Sequence, residues 1–316
     1  MNPPPKPDVL VEGLLHRGTK AILAGGSKSF KTWTLIDLAL QISVGGNWWG
    51  FKCRPAKVLF CNFEIQDGFF TERLEAIKAA RGIVGPTPNL HVWNLRGYAT
   101  DISELEAAIK AQASEHDYFA MIMDPIYKCL GERDENSNGQ IAEMLNALER
   151  IAVQLNTMIL FGHHYAKGNA SGKYAIDRMS GAGAWARDPD TIITMTPHEE
   201  EDAFVVDMIL RNMAPQEPFV VRRAHPIMVR DDDADTEKLR EPGKRQGYSL
   251  QEVLATFPKQ KDGTTSGEWQ AVAEDVLGIS NGTFHNKKKQ LLRKQMVFVS
   301  ESPGPQKGKY FLSARG

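Results

Sequence analysis

Short hydrophobic runs alternate with longer amphipathic stretches over the first two-thirds of the chain. Eight runs predict β-strands, at residues 20–24, 57–62, 90–94, 119–124, 157–163, 191–196, 204–210 and 219–223. Four stretches between them predict helices, at residues 32–43, 68–80, 102–115 and 139–155. In the last helix apolar residues recur three or four positions apart, so it has one apolar face. This alternation of strands and helices is typical of an α/β domain with a mostly parallel central sheet.

The pattern changes after residue 230. Residues 231–247 begin with an acidic run, contain Pro and Gly, and lack apolar periodicity, which predicts a linker. Three helices and a hairpin are predicted beyond it, at residues 249–257, 266–277, 280–295 and 296–313. Three helices followed by a hairpin are typical of a winged helix-turn-helix. We therefore expect a large α/β domain at 1–230 with an N-terminal arm at 1–19, a linker at 231–247, and a small winged-helix domain at 248–316.

The charge is distributed unevenly between these two parts. The chain has 316 residues and a formal net charge of −1, but from Glu241 onward 12 Lys and Arg face 7 Asp and Glu. The length agrees with two domains. A basic C-terminal end suggests a polyanionic partner, although a difference of this size also suits an ordinary solvated surface.

Neither a membrane span nor a disulfide framework is indicated. No apolar run approaches the roughly 18 residues of a membrane helix, and the N-terminus is proline-rich where a signal peptide would be apolar. Cys53, Cys61 and Cys129 are odd in number and form no Cys-x-x-Cys pair. We expect a cytoplasmic protein with reduced, mostly buried thiols.

A glycine-rich segment lies between the first predicted strand and the first predicted helix. It consists of Gly25, Gly26, Ser27, Lys28, Ser29, Phe30, Lys31 and Thr32. It fits the pattern Gly-x-x-x-x-Gly-Lys-Ser/Thr except that Phe30 replaces the second glycine. In such a loop the backbone N–H groups turn toward phosphate oxygens, Lys31 neutralises the β- and γ-phosphates, and Thr32 ligates Mg²⁺. Taken alone, the segment also suits an ordinary turn between a strand and a helix.

Acidic residues follow two other predicted strands. The fourth strand ends at Asp124, and Glu64 comes just after the second. Because the carboxyl ends of parallel strands share one edge of the sheet, both acids are expected near the glycine-rich loop. Phosphoryl transfer needs a carboxylate at the Mg²⁺ site and a residue that orients water, and we assign these roles to Asp124 and Glu64. As alternatives, Asp124 caps a turn before Pro125 and Glu64 is simply solvated.

Two adjacent histidines, His163 and His164, follow the fifth predicted strand. Either can donate a hydrogen bond to a γ-phosphate, but neighbouring side chains on a strand point to opposite faces, so only one is expected to reach it. We favour His163. A zinc pair is the rival interpretation, although no further His or Cys lies nearby at ligand spacing.

At this point the chain resembles the RecA-like P-loop ATPases that include the RepA-type hexameric replicative helicases of plasmids, and more broadly the superfamily 4 helicases. The resemblance covers about residues 10–223. Its motifs are the loop at 25–32, Asn62-Phe63-Glu64, Ile122-Met123-Asp124 and Phe161-Gly162-His163-His164. The feature most specific to this family is the order in which the loop, Glu64, Asp124 and the histidines follow one another at strand ends. The resemblance implies ATP and Mg²⁺ as cofactors.

The resemblance also implies a homo-oligomeric, hexameric ring with the nucleotide between subunits. A neighbouring subunit then supplies an arginine finger to the γ-phosphate. Arg211 matches that arginine at the end of a late strand, whereas Ile209 stands where the family has a lysine. The alternative that Arg211 is a plain surface residue stays open.

DNA contacts are expected in two places. By the resemblance, loops at 128–138 and 166–183 face the channel of the ring, where Lys167, Lys173 and Arg178 can meet phosphates; a solvated mobile loop is the alternative. On the last predicted helix, Lys287, Lys288, Lys289 and Arg293 suit phosphate contacts of a recognition helix. A winged helix that contacts protein instead of DNA is the other possibility.

The sequence thus predicts an ATP-hydrolysing DNA helicase or translocase, with single- or double-stranded DNA as its partner, serving replication of a mobile element. Two alternatives remain. One is a recombinase-like or regulatory ATPase that binds DNA without unwinding it. The other is a non-hydrolysing DNA-binding regulator that senses nucleotide, which the departures at Phe30 and Ile209 keep open.

Overall fold

The computed structural model describes residues 6–98, 101–164 and 182–240, together with 248–313 apart from gaps at 249, 259, 261 and 301–306. The chain divides into two compact units, Met1–Lys244 and Arg245–Gly316. They are called here the core unit and the C-terminal unit. Within the described ranges, every helix is too short or too polar to cross a membrane.

The core unit contains a large sheet flanked by helices. Its strands are β1 (Val9–Val11), β2 (Leu15–His16), β3 (Lys20–Gly25), β4 (Asn47–Trp48), β5 (Phe51–Lys52), β6 (Val58–Asn62), β7 (Leu90–Asn94), β8 (Ala120–Asp124), β9 (Met158–His164), β10 (Thr191–Pro197), β11 (Ala203–Leu210), β12 (Phe219–Ala224) and β13 (Ile227–Asp231). Its helices are α1 (Lys31–Val44), α2 (Asp67–Ala80), α3 (Ile102–Glu115), α4 (Asn138–Gln154) and α5 (Ala184–Arg187), with a 3₁₀ helix at Ile126–Cys129.

Nine strands form the sheet in the order β13-β12-β11-β10-β3-β9-β8-β6-β7. The six strands from β10 to β7 are parallel, whereas β11, β12 and β13 extend the sheet in antiparallel pairing. The predicted α/β fold with a mostly parallel central sheet is confirmed. Parallel strands end at one edge, so the carboxyl ends of β3, β6, β8 and β9 are brought together there.

Both faces of the parallel strands are buried, which explains their continuous apolar sequences. On one face α1 and α2 cover alternate residues such as Leu23, Phe60 and Ile122. On the other face α3 and α4 cover the intervening residues, such as Leu59 and Met123. Because successive side chains of a strand point to opposite faces, one strand supplies two separate apolar cores. The thiols of all three cysteines are buried.

The segment predicted as a linker is partly built into the core unit. Its first residue, Asp231, is the last residue of β13, which pairs with β12 at the edge of the sheet. Farther along, the Glu199 N–H donates to the carbonyl of Lys238 at 2.9 Å, and Leu239 forms an isolated bridge with His198. Backbone pairing holds this stretch, and such pairing leaves no apolar periodicity in the sequence. Residues 241–247 lie outside the described ranges.

The C-terminal unit consists of three helices and a two-stranded antiparallel sheet. These are α6 (Leu250–Ala255), α7 (Ser266–Leu277), α8 (Asn281–Arg293), β14 (Val297–Val299) and β15 (Tyr310–Leu312). Thr265 and Glu268 cap the start of α7 reciprocally, and Ser280 caps α8. These caps satisfy N–H groups that have no partner within the helix. The core of the unit surrounds the buried rings of Trp269 and Phe284.

Candidate nucleotide-binding site

A cavity of about 830 Å³ opens at the edge where the parallel strands end. The glycine-rich loop after β3 forms one wall, and residues at the ends of β8 and β9 or just after β6 and β8 contribute to the others. Of the predicted site residues, the structure brings together Lys31, Thr32, Glu64 and Asp124 in this cavity. A cleft at the carboxyl ends of parallel strands is the usual place for a ligand in such folds.

The glycine-rich loop connects the end of β3 directly to the start of α1. A side chain at Gly25 would place its Cβ 2.7 Å from Ser29 Oγ and 3.2 Å from the Met195 carbonyl, so only glycine fits there. Lys28 and Phe30 both have positive φ, at 62° and 59°. The backbone therefore takes left-handed conformations at these two residues despite the absence of glycine at position 30, and such conformations occur in loops whose N–H groups bind anions.

Lys31 is the first residue of α1, and its ammonium group lies inside the loop. Nζ donates to the carbonyls of Gly25 and Gly26 at 2.9 and 2.8 Å, and it lies 3.3 Å from Nδ1 of His164. Burial lowers the pKa of Lys31 to about 8, although the charges of Asp124 and Glu64 act in the opposite direction. The Lys31 ammonium group is thus held at the start of α1, next to the place where phosphates would bind.

Thr32 and Asp124 form the direct link between the loop and β8. The Thr32 hydroxyl donates to Asp124 Oδ2 at 2.6 Å. Burial raises the pKa of Asp124 to about 6, while the hydrogen bond from Thr32 and the charge of Lys31 oppose the shift. A Cβ on Gly162 would collide with Oδ1 of Asp124, so glycine on β9 leaves room for the carboxylate. A hydroxyl beside a carboxylate is an oxygen donor set that fits Mg²⁺.

Glu64 is positioned by the side chain of Asn62, the last residue of β6. Asn62 Nδ2 donates to the Ile65 carbonyl at 2.7 Å, and its Oδ1 accepts from the N–H of Ile65 at 3.0 Å. A second donation from Asn62 to Asn94 Oδ1 at 3.0 Å ties the turn to β7. The exposed Glu64 carboxylate therefore projects into the cavity from a fixed turn.

The prediction that His163 is the histidine facing the nucleotide is wrong, because His164 is the one that lines the cavity. His163 is 3% exposed and stacks on Trp185 at a centroid distance of 4.6 Å, in the core on the α4 side. Strand β9 has the predicted length but begins and ends one residue later than predicted, and the alternation of its side chains places His164 on the loop side. Burial and the charge of Lys31 lower the pKa of His164, which favours the neutral ring.

Two arginines that were not predicted also line the cavity, Arg73 on α2 and Arg96 after β7. The Arg73 guanidinium lies 4.9 Å from the centre of the Trp33 ring. Burial lowers the pKa of Arg73, and the charges of Asp124 and Glu64 counteract this shift. One signal in the sequence could have indicated Arg73: it lies on the helix that begins just after Glu64.

Arg211 lies away from this cavity, just beyond the end of β11. Its guanidinium donates to the Arg187 carbonyl at 2.6 Å and lies 3.5 Å from the Asp190 carboxylate. The side chain is 52% exposed. An arginine finger that reaches the γ-phosphate of a neighbouring subunit must lie at the surface. That role of Arg211 stays a prediction.

The predicted DNA contacts separate into three groups. Lys167, Lys173 and Arg178 lie outside the described residues. Lys289 and Arg293 are exposed on α8. Lys287 and Lys288 are each only 7% exposed, so the expectation that their side chains face a DNA backbone is wrong. They share a helix face with Phe284 and Leu291, at the spacing that directs side chains into the core of the unit.

Comparison with solved structures gives distant similarities. A KaiC-like protein, PH0186 from Pyrococcus horikoshii OT3, is 14% identical, with 70% of this chain and 93% of that chain covered and a TM-score of 0.49. A second solved structure, that of an ATPase domain, is 12% identical, with 68% of this chain and 85% of that chain covered and a TM-score of 0.53. The second similarity supports the fold.

Comparison at the level of sequence identifies the family. No curated protein matches the chain. The AAA domain family matches residues 1–170, which is more than half of the 316 residues. This matched range contains the glycine-rich loop and also Glu64, Asp124 and His164, which line the cavity from the ends of β6, β8 and β9. The chain therefore belongs to the AAA domain family, and its core unit is a RecA-like P-loop ATPase domain.

Proposed function

We propose that this chain is an ATP-hydrolysing DNA helicase or translocase of the RepA-like type. The observation that carries the proposal is the convergence of Lys31, Thr32, Asp124, Glu64 and His164 in one cavity. Each group suits one task of phosphoryl transfer to water, so the set is complete for one subunit except for a finger from a neighbour.

Nucleotide and metal are held by the loop and by β8. The N–H groups at the start of α1 and the Lys31 ammonium bind the β- and γ-phosphates of ATP. The Thr32 hydroxyl, with Asp124 next to it, would hold Mg²⁺, which would supply neutralisation of the phosphate charge. Arg73 adds a second cation from the same chain to this end of the cavity.

Glu64 is the residue that orients the attacking water. Its carboxylate accepts a hydrogen bond from the water and takes a proton from it as the water oxygen bonds to the γ-phosphorus and the bond between the γ-phosphorus and the bridging β-phosphate oxygen breaks. The products are ADP and inorganic phosphate. Asn62 fixes the turn and so keeps the Glu64 carboxylate in place. Positioning of this kind lowers the barrier to hydrolysis although Asn62 itself does not contact the substrate.

His164 is suited to report the state of the γ-phosphate. It lies beside Lys31, and the chain continues from it into residues 165–181, which carry the predicted DNA contacts Lys167, Lys173 and Arg178. Loss of the γ-phosphate removes a hydrogen-bond partner from His164, the last residue of β9. The coupling of hydrolysis to movement along DNA is proposed to run through this connection.

The remaining parts of the proposal concern assembly and DNA. Arg211, exposed on the surface, acts in trans on the γ-phosphate of a neighbouring subunit in a hexameric ring. The C-terminal unit is a winged helix whose exposed cations on α8, Lys289 and Arg293, contact DNA phosphates. Service in replication of a mobile element completes the proposed function.

The test is hydrolysis and strand displacement by the full chain. We expect single-stranded DNA to stimulate ATP hydrolysis, an annealed strand to be displaced, and Lys31→Ala to abolish both. Particle mass should rise to that of a hexamer with ATP and Mg²⁺. Stimulated hydrolysis without displacement would replace the helicase by a recombinase-like or regulatory ATPase. Nucleotide binding without turnover would replace it by a nucleotide-sensing DNA-binding regulator.

A further inference from the structure

Phe30 lies in the glycine-rich loop, at a position whose backbone conformation favours glycine. Its φ of 59° and ψ of 22° lie in the left-handed region, and it is the N-cap residue of α1. For a bulky side chain this conformation is strained, and it persists only where the surroundings impose it. The next residue is Lys31, so the dihedral angles of Phe30 set the direction in which the loop enters the helix.

The ring of Phe30 is held from two sides by the antiparallel part of the sheet. It packs edge-to-face against Phe204 of β11, with ring centroids 6.1 Å apart. On β12, the Arg223 guanidinium carbon lies 4.3 Å from the centre of the same ring. Aromatic pairs and cation–π contacts of this geometry stabilise the positions of the groups involved.

These two partners are themselves fixed. Phe204 is 7% exposed and pairs with Val221 across β11 and β12. The Arg223 N–H donates to the Asp202 carbonyl at 2.8 Å, and its guanidinium lies 3.8 Å from the Asp202 carboxylate. The Phe30 carbonyl accepts from the N–H of Thr34 at 3.0 Å. The ring is thus tied to rigid strands, and its backbone to the first turn of α1.

We infer that Phe30 and Arg223 are positioning residues for the bound nucleotide. By pinning the Phe30 ring to β11 and β12, they hold the left-handed turn that presents Lys31 and the N-terminus of α1 to the phosphates. Phe30 lines the cavity, whereas Arg223 does not. Arg223 therefore affects the nucleotide site through its contact with the Phe30 ring. This inference rests on the proposed nucleotide-binding function.

The consequence is a thermodynamic coupling between positions 30 and 223. With Phe30 present, Arg223→Ala removes one of the two contacts that hold the ring and loosens the strained turn, which we expect to weaken binding of Mg²⁺–ADP about fivefold to tenfold. With Phe30→Gly, the turn needs no ring to hold it, because glycine adopts positive φ without strain. Arg223→Ala should then change the affinity by less than twofold.

The experiment is a double-mutant cycle on the full chain, with Mg²⁺–ADP affinity measured by titration calorimetry. Phe30→Tyr, which keeps a ring, should retain the wild-type response to Arg223→Ala. Arg222→Ala is the matched control, since its guanidinium contacts Glu200 and Asp231 instead of the phosphate loop. We expect Arg222→Ala to leave the affinity within twofold of wild type. Thermal melting shows whether each variant is folded.

Two results would overturn the inference. One is an equal loss of affinity from Arg223→Ala in the wild-type chain and in the Phe30→Gly variant, which would mean that Arg223 does not act through the ring. The other is no loss in either background. Failure of the proposed function looks different: wild-type protein would not bind Mg²⁺–ADP, or Lys31→Ala would bind it as well as wild type.

Discussion

The hydroxyl of Thr32 donates a 2.6 Å hydrogen bond to Asp124 Oδ2, although the two residues are 92 positions apart. The contact joins the first turn of α1 to the end of β8, where the proposed Mg²⁺ site lies. Thr32→Ala removes a proposed metal ligand, so we expect ATP hydrolysis with Mg²⁺ to fall by about two orders of magnitude.

Metal-free nucleotide binding should separate this effect from general damage to the loop. We expect Thr32→Ala to bind ADP in EDTA within about threefold of wild type, because Lys31 and the loop N–H groups remain. Thr71→Ala is the control, since that hydroxyl caps an exposed carbonyl on α2. Wild-type Mg²⁺-dependent hydrolysis in Thr32→Ala would show that Thr32 is not at the metal site.

The affinity for Mg²⁺–ADP should be greatest between about pH 6 and pH 8. Burial raises the pKa of Asp124 to about 6, so below this pH the carboxyl is protonated and attracts Mg²⁺ less. Burial lowers the pKa of Lys31 to about 8, so above this pH the amine loses the charge that attracts phosphate. On each side the affinity should fall by up to about tenfold per pH unit.

Variants identify the two groups in that profile. Asp124→Asn should remove its part of the acidic decline, leaving only the titration of the nucleotide itself. Lys31→Arg should flatten the alkaline decline, because a guanidinium stays protonated. A profile that both variants leave unchanged would contradict these assignments.

The two histidines should respond differently to removal. His164 lies at the cavity beside Lys31, so His164→Ala should lower kcat for ATP hydrolysis about tenfold to hundredfold, as expected for loss of a charge-assisted hydrogen bond. His163 is buried against Trp185, so His163→Ala should lower the melting temperature and leave kcat of the folded protein within about threefold. The reverse pattern would restore His163 as the phosphate contact.

Neighbouring lysines on α8 should also differ. Lys289 and Arg293 are exposed, so replacing both with Ala should weaken DNA binding about tenfold and reduce the salt slope by about two. Lys288 donates to Ser266 Oγ and lies 5.0 Å from the centre of the Tyr310 ring, so Lys288→Ala should mainly destabilise the C-terminal unit. Unchanged DNA binding and salt dependence in the double variant would favour protein contacts for α8.

Much of the core unit could be predicted from the sequence because parallel strands buried on both faces are continuous apolar runs. The eight predicted strands correspond to β3 and β6–β12, and the four predicted helices to α1–α4. Their order also placed Glu64 and Asp124 at one sheet edge, since the carboxyl ends of parallel strands must meet there. These features depend only on local patterns and topology.

Other features of the site depend on side-chain orientation and on long-range contacts, which the pattern of apolar and polar residues does not contain. The choice between His163 and His164 required the face of β9, which alternates with every residue. The burial of Lys287 and Lys288 required the orientation of α8 against Trp269, because a long side chain can cover an apolar core and keep its charge bonded. The contact between Arg223 and Phe30 joins segments that are far apart in the sequence.

The most direct test of the proposed ATPase site is the behaviour of Glu64→Gln in the full chain. The amide keeps the size and the polar contacts of the side chain but cannot take a proton from water. We predict that Glu64→Gln binds Mg²⁺–ATP within about threefold of wild type while hydrolysis falls at least a hundredfold. Hydrolysis near the wild-type rate, or loss of Mg²⁺–ATP binding, would contradict the assignment of Glu64 as the residue that activates the attacking water.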